Sequence, residues 1–408
     1  MIKFIETRIS SAGNIKGFKF CNESYKLSVG KTNTAIIAIK AILSKNKNIK
    51  TVVIVPTEYL KVQWIQSLAK AGLFQEVSVE IINSAAKKQE KVNFLILDEA
   101  HRIPGPTFYE IFPNRDPDIV LGLSATFDRL DGRHILLNKF CPVCDIITVK
   151  EAIENNWLSP YREYKVLLEV DDIEVYRQAN AEFQNSFSMF GYDFNLAMKC
   201  LTNIIYRRTY AKKMGWSAKD IDGIVFSWNR ALKARKGFVM NHPKKVEIAR
   251  KILAARPNSK GITFSATIAQ SEKIGGGYVV HSGKTKKKNR LTMEEFRDLK
   301  CGVIHTAKSL DEGSDVPGLN LAIILSNTSS RTQKVQRTGR CIRYEPDKIA
   351  EIFTLVIGQT NEEGWFNTSS AGSSYIEITE SELDDILGYQ EINVVEKEAM
   401  ASDLLFRL

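Results

Sequence analysis

Cysteine is scarce, with six in 408 residues, too few and too scattered for a disulfide framework. Cys141 and Cys144 make one CxxC, but no second pair stands near it. A zinc site takes about four ligands, so the pair reads as structural. Long apolar runs are also missing: no stretch approaches the roughly 18–20 residues that cross a bilayer. The opening residues Met1 to Ser11 lack the apolar core of a signal peptide. These absences exclude a disulfide-stapled secreted domain and a membrane-spanning protein. They predict a soluble, cytoplasmic chain with no membrane partner.

Negative charge is short everywhere except at one end. The chain carries a net +10. From Gln359 to Leu408 eleven acidic residues face two basic ones, a balance of −9, which leaves +19 on the other 358 residues. A basic body with an acidic tail suits a polyanion-binding surface, and the tail is expected either to dock a protein partner or to stay solvated. The length allows two or three domains, each with its own core.

Short apolar runs alternate with amphipathic stretches. Thr51 to Pro56, Asn93 to Asp98 and Asp118 to Ser124 read as strands buried on both faces, with helices over Thr34 to Leu43 and Tyr59 to Ala71 between them. That alternation predicts a doubly wound parallel α/β domain over residues 1–150. The pattern stops between about Asp171 and Asn241, where helix formers dominate and Arg207, Arg208, Lys212, Lys213, Lys233, Arg235 and Lys236 make the second half basic. Residues 151–241 are therefore expected to form a linker and a helical insertion. Strand-like runs resume at Gly261, Gly277, Gly302, Leu319 and Ile352, predicting a second α/β domain over 242–358. Residues 359–408 read as a polar, then acidic, tail with a short helix near Ser381 to Leu387.

Three constellations carry chemistry. Ser28-Val29-Gly30-Lys31-Thr32 is expected to follow a short strand (Tyr25 to Leu27) and precede a helix, the setting of a phosphate-binding loop. There the loop and helix N–H groups face phosphate oxygens, a lysine neutralises them and a threonine hydroxyl reaches Mg²⁺. The full GxxxxGK[ST] pattern is incomplete, because Tyr25 stands where its first glycine would be. Asp98-Glu99-Ala100-His101 follows an apolar strand, so both carboxylates fall at the carboxyl end of the sheet, where α/β folds bind ligands. Asp98 suits Mg²⁺ and Glu99 suits polarising a water. Gln336-Arg337-Thr338-Gly339-Arg340-Cys341-Ile342-Arg343 places two arginines three apart; on a helix they would share a face and suit the phosphoryl oxygens of ATP.

Taken together, these segments resemble the superfamily 2 helicases, most of all the DEAH-box DNA group that includes XPB and phage UvsW. Ser28 to Thr32 resembles motif I; Val55-Pro56-Thr57-Glu58 with Gln63-Trp64, motif Ia; Asp98 to His101, motif II. Leu121 to Thr126 with Asp128 to Gly132 resembles motif III and its following loop, and Ile262 to Ser265 motif IV. Thr306 with Asp311 to Pro317 resembles motif V, and Gln336 to Arg343 motif VI. The resemblance implies two RecA-like domains, ATP and Mg²⁺ as cofactors, and a nucleic-acid partner, DNA before RNA. It implies that Glu99, Gln336, Arg340 and Arg343 are catalytic. Ser28, Val29, Gly30, Lys31, Thr32, Gly313 and Asp315 would hold nucleotide, and Thr32 and Asp98 the metal. Ser124 and Thr126 would couple hydrolysis to movement, while Pro56, Thr57, Arg129, Ser265 and Thr306 would meet nucleic acid. The sequence departs from the family in one further respect: no glutamine precedes Gln63, so the usual adenine-reading segment is missing. Its compact architecture suits a monomer of phage or mobile-element origin, acting at the nucleoid or in a host cytoplasm. An RNA helicase, a catalytically weak scaffold and the motor subunit of a restriction-type complex remain open alternatives.

Overall fold

The computed structural model describes residues 23–24, 30–103, 105, 107–125, 132–143, 145–307 and 316–388. The chain divides into two compact units. One comprises Met1–Tyr161, Ser309–Asn320 and Ser330–Ala350; the other comprises Arg162–Lys308, Leu321–Ser329 and Glu351–Leu408.

In the first unit a five-stranded sheet is built from β1 (Glu23–Ser24), β2 (Thr51–Val55), β3 (Val77–Ile81), β4 (Phe94–Asp98) and β5 (Ile119–Ser124), in the order β1-β5-β4-β2-β3. All four pairs are parallel. The strands alternate between two cores, as side chains one residue apart must. Val53, Val55, Phe94, Ile96, Leu121 and Leu123 pack on the face covered by helices α1 (Lys31–Lys45) and α2 (Glu58–Lys70). Val52, Ile54, Leu95, Leu97 and Val120 pack on the opposite face with Ile103, Ile111 and Phe112. The run Thr51–Val55 is apolar without alternation because both of its faces are buried. Tyr25 to Leu27, expected as the strand before the loop, lies outside the described residues, and β1 stands just before it.

The second unit holds seven strands: β6 (Tyr161–Leu168), β7 (Lys260–Ser265), β8 (Tyr278–His281), β9 (Gly302–Ala307), β10 (Leu321–Ile324), β11 (Ala350–Ile357) and β12 (Ile376–Ile378). Their order is β12-β6-β11-β10-β7-β9-β8. The β12–β6, β11–β10, β10–β7, β7–β9 and β9–β8 pairs are parallel. Between β6 and β7 come α3 (Ile173–Ser188), α4 (Phe194–Thr202), α5 (Ile204–Met214), α6 (Ala218–Asn241) and α7 (Pro243–Ala255), and α8 (Ile268–Ile274) follows β7. The helical insertion has its own core around Trp228, Phe183, Phe190, Ile221 and Val225.

The structure redraws three boundaries. Tyr161–Leu168, within the expected linker, is a strand of the second sheet, with Glu163 and Lys165 buried in it; Lys165 Nζ meets Glu377 Oε2 at 2.7 Å. Much of the expected tail is folded: α11 (Asn361–Ser369), β12 and α12 (Glu380–Leu387) pack on that sheet, and only residues 389–408 lie outside the described ones. The segment Ser330–Ala350, expected in the second domain, packs in the first unit. There Arg343 bridges Leu158, the Ser159 N–H donates to the Ile342 carbonyl at 3.0 Å, and the Ser159 hydroxyl donates to the Arg343 carbonyl at 3.0 Å.

Candidate functional site

The carboxyl ends of β4, β5 and β2 and the start of α1 gather the expected residues at one edge of the first sheet. Gly30 caps α1 with φ 72°, a left-handed conformation that glycine adopts without strain, and its carbonyl accepts from the Thr34 N–H at 2.9 Å. Lys31 and Thr32 form the first turn, both half-buried. Ser28 and Val29 lie outside the described residues.

Asp98 closes β4, and Glu99 follows at φ 52°, ψ 49°. A non-glycine residue there is strained, and such strain persists where the surrounding structure over-determines it. Three contacts do so. Lys31 Nζ donates to Glu99 Oε1 at 3.0 Å, the Glu99 N–H donates to Asp98 Oδ1 at 3.0 Å, and His101 Nδ1 stands 3.3 Å from Glu99 Oε2. Burial pushes the Asp98 carboxyl above its ordinary range, aided by the Glu99 charge and opposed by Lys31. For Glu99, burial acts upward but is outweighed by Lys31, His101 and Arg102, so its carboxyl is held low. The Lys31 ammonium is held charged because Glu99 and Asp98 outweigh the downward push of burial. The result is one buried cation beside two adjacent carboxylates with opposite shifts, a pattern concentrated at functional sites.

Two further contacts tie this cluster to its neighbours. His101 Nδ1 and Ser124 Oγ lie 3.0 Å apart, joining the ends of β4 and β5; both are buried. The Trp64 indole N–H donates to Asp98 Oδ2 at 2.9 Å. The sequence placed Trp64 in a motif but gave no sign of this bond. Thr57 caps α2, its hydroxyl accepting from the Leu60 N–H at 3.3 Å, and Pro56 beside it is half-buried.

The donor set fits a magnesium-bound triphosphate. Asp98 presents a buried carboxylate oriented by two N–H donors, Thr32 sits in the first helical turn, and Lys31 supplies positive charge. Among the described residues no group of three or more His, Cys, Asp or Glu side chains could hold a metal by itself. Mg²⁺ accords with that, since it keeps several waters and binds one or two carboxylates plus phosphate. Cys141 is buried, which pushes its thiol up to about 12; Cys144 lies outside the described residues.

The arginines do not share a helical face. Helix α10 (Arg331–Thr338) ends before them, Arg340 lies in the following turn, and Arg343 lies in the bridge to Leu158. The Arg340 and Cys341 N–H groups return to the Arg337 and Thr338 carbonyls, a tightening turn that ends the helix. Arg340 is buried, Gln336 half-buried, and Arg343 is lowered by burial while interacting with Tyr59 of α2. Arg340 and Arg343 thus belong to the same unit as Lys31 and Glu99.

In the second unit Ser265 ends β7 and Thr306 lies one residue before the end of β9; both are fully buried, and neither hydroxyl has a hydrogen-bond partner. Thr126, Arg129, Gly313 and Asp315 fall outside the described residues. Two of the basic residues in the helical insertion are internal. Arg235 stacks 3.7 Å from the Phe183 ring centroid, and Arg207 pairs with Asp222 at 3.0 Å. Trp228 is fully buried, and Trp216 packs edge-on to Tyr210. Lys286, Lys287, Lys288 and Arg290 of α9 (Lys286–Arg297) are exposed.

Comparison with known proteins agrees with this arrangement. Residues 73–129 match the family described as type III restriction enzyme, res subunit, and residues 244–345 match the helicase conserved C-terminal domain. The DNA 3'-5' translocase XPB2 of Sulfurisphaera tokodaii is 25% identical over 346 residues, covering 80% of this chain and 75% of its own. A protein of African swine fever virus, named as an ATP-dependent RNA helicase, is 35% identical over 129 residues, covering 26% of this chain and 24% of its own. The helicase domain of Pyrococcus furiosus Hef superposes with a TM-score of 0.54 at 17% identity, covering 89% of this chain and 97% of that one. The fold is therefore that of RecA-like helicase domains, and the two family regions, in this order, place the chain in helicase superfamily 2. It is an ATP-hydrolysing nucleic-acid motor. No helix among the described residues is long and apolar enough to cross a membrane.

Proposed function

We propose that the chain is a DNA translocase or helicase of the DEAH-box group, akin to XPB and UvsW. The observation that carries this is the buried Lys31–Glu99–Asp98 cluster, with Glu99 held in a left-handed backbone conformation at the end of a parallel strand. Lys31 and the Gly30–Thr32 turn would bind the triphosphate, with Ser28, Val29, Gly313 and Asp315. Asp98 and Thr32 would hold Mg²⁺, which would offset the negative charge of the phosphates. Glu99, held ionised by Lys31, His101 and Arg102, would orient the attacking water through its negative charge. Arg340, Arg343 and Gln336 would stabilise charge on the transferred phosphoryl group. Ser124, through His101, and Thr126 would carry the state of the site onward. Pro56, Thr57, Arg129, Ser265 and Thr306 would meet the strand.

DNA is preferred because the translocase resemblance spans 80% of the chain, whereas the relative with an RNA-helicase name matches only 26%. That viral relative favours RNA as a second reading. Steady-state ATP turnover with no nucleic acid, single-stranded DNA, forked DNA and RNA separates the two. Stimulation by DNA is expected; stimulation by RNA alone would replace the DNA reading.

A further inference from the structure

We infer that Trp64 is a positioning residue for the magnesium-holding carboxylate and links it to the helix that carries the strand-facing Thr57. The inference rests on the reading of Asp98 given above.

The indole is 2% exposed and its N–H meets Asp98 Oδ2 at 2.9 Å. A carboxylate offers about four acceptor positions, and Asp98 uses one on Trp64 and one on the Glu99 N–H. Those two donors fix the plane of the carboxylate and leave the remaining lone pairs for a hydrated cation. Tryptophan suits this role because its N–H donates only, cannot ionise, and sits on a rigid ring packed in the core with Val53, Phe94 and Leu68. The same bond fixes the strained turn indirectly. Asp98 Oδ1 holds the Glu99 N–H, so the carboxylate gripped by Trp64 also grips the backbone of the residue that orients water.

Trp64 is seven residues from Thr57, the cap of α2, about 10 Å along the axis at 1.5 Å per residue. A helix this short moves as a rigid rod. Displacement of its capped end on binding a strand therefore shifts the indole, and with it Asp98. A tryptophan that merely filled the core would show no link between strand binding and metal affinity.

The test uses the full chain, with Mg²⁺ titrated against a fluorescent ATP analogue. Trp64→Phe keeps an aromatic ring and removes the N–H. Its half-saturating Mg²⁺ is expected to rise about tenfold, the effect of losing one charge-assisted hydrogen bond. Its stimulation by single-stranded DNA is expected to fall severalfold. An unchanged Mg²⁺ titration overturns the inference. Glu99→Gln, run alongside, separates the two levels. If it hydrolyses ATP as fast as the wild type, the reading of the site fails. If it is inactive while Trp64→Phe titrates as wild type, only the role of Trp64 fails. A second measurement needs no folded variant. With the five tryptophans ¹⁵N-labelled in the wild type, one indole N–H resonance, assigned to Trp64, is expected to move when Mg²⁺ joins the bound analogue and again when DNA is added. A Trp64 resonance that responds to neither overturns the inference.

Discussion

Residue by residue, the site is made by side chains far apart in the chain: Lys31 meets Glu99, Trp64 meets Asp98 and His101 meets Ser124. Lys31, Asp98 and Glu99 were legible because a phosphate loop and an acidic pair have characteristic neighbours. The pairing of Trp64 with Asp98, and of His101 with Ser124, depends on which strands lie side by side, and no spacing rule reports that. His305 was silent in the sequence for the same reason. It is fully buried on β9, Nε2 standing 3.1 Å from the Gly275 carbonyl and Nδ1 2.9 Å from the Thr263 hydroxyl. The carbonyl can only accept, so Nε2 carries the proton and Nδ1 accepts from Thr263. Burial depresses its pKa to about 4, against the upward pull of the Gly275 carbonyl. The folded value lies below the unfolded one near 6.5, so the unfolded chain binds the extra proton between them. Stability is thus full above pH ~6.5 and falls as acid is added toward pH ~4, by roughly 3 kcal/mol at about 1.4 kcal/mol per unit. Denaturant unfolding at about pH 7 and about pH 4.5 should show this loss in the wild type and a smaller one in His305→Gln. Equal losses would remove His305 from the account.

At the scale of elements, strands buried on both faces were legible as apolar runs, and β2, β4, β5, β7 and β9 fell close to where composition put them. Strands that carry charge were not. β6 reads Tyr-Arg-Glu-Tyr-Lys-Val-Leu-Leu, and its Lys165 is tolerated in the sheet because Glu377 and Glu363 meet it. Likewise, Glu362 looked like part of an acidic tail but is fully buried. It accepts from Lys245 Nζ at 2.5 Å, Asn327 Nδ2 at 3.2 Å and the Ile357 N–H at 2.9 Å. Lys245→Met strands that carboxylate and is expected to cost roughly 3–5 kcal/mol. Adding Glu362→Gln should restore part of it, because no charge is left buried, although only one of the amide's two polar atoms can accept from Asn327 or Ile357. A double variant as unstable as the single one would contradict this view of the pair. Gly277, next to β8, marks a close approach: a Cβ there would lie 2.5 Å from Val303 Cγ1 and 2.6 Å from the Val303 carbonyl. Gly277→Ala should lower the unfolding midpoint, by about 1–3 kcal/mol as overpacking does; an unchanged midpoint would mean that the strand end yields freely.

At the scale of the molecule, order along the chain revealed the architecture, while the assignment of segments to units did not follow chain order. The arginine segment packs in the first unit because Ser159 and Leu158 bind its backbone, and backbone hydrogen bonds leave no trace in side-chain pattern. A basic chain with a net +10 should grip a strand through phosphates. Binding of single-stranded DNA should weaken steeply with salt, with a log–log slope of about −0.7 for each phosphate neutralised. A flat response would mean that the basic surface is not the contact.

In the proposed function, Glu99 acts on the water that cleaves ATP bound beside Lys31. Single-turnover phosphate release with saturating DNA, comparing wild type with Glu99→Gln, tests it directly. The amide keeps the size of the side chain and removes its basicity. Release is expected to be at least about 100-fold slower, the usual scale of a lost general base, with ATP affinity changed only a few fold. Release at the wild-type rate would contradict it.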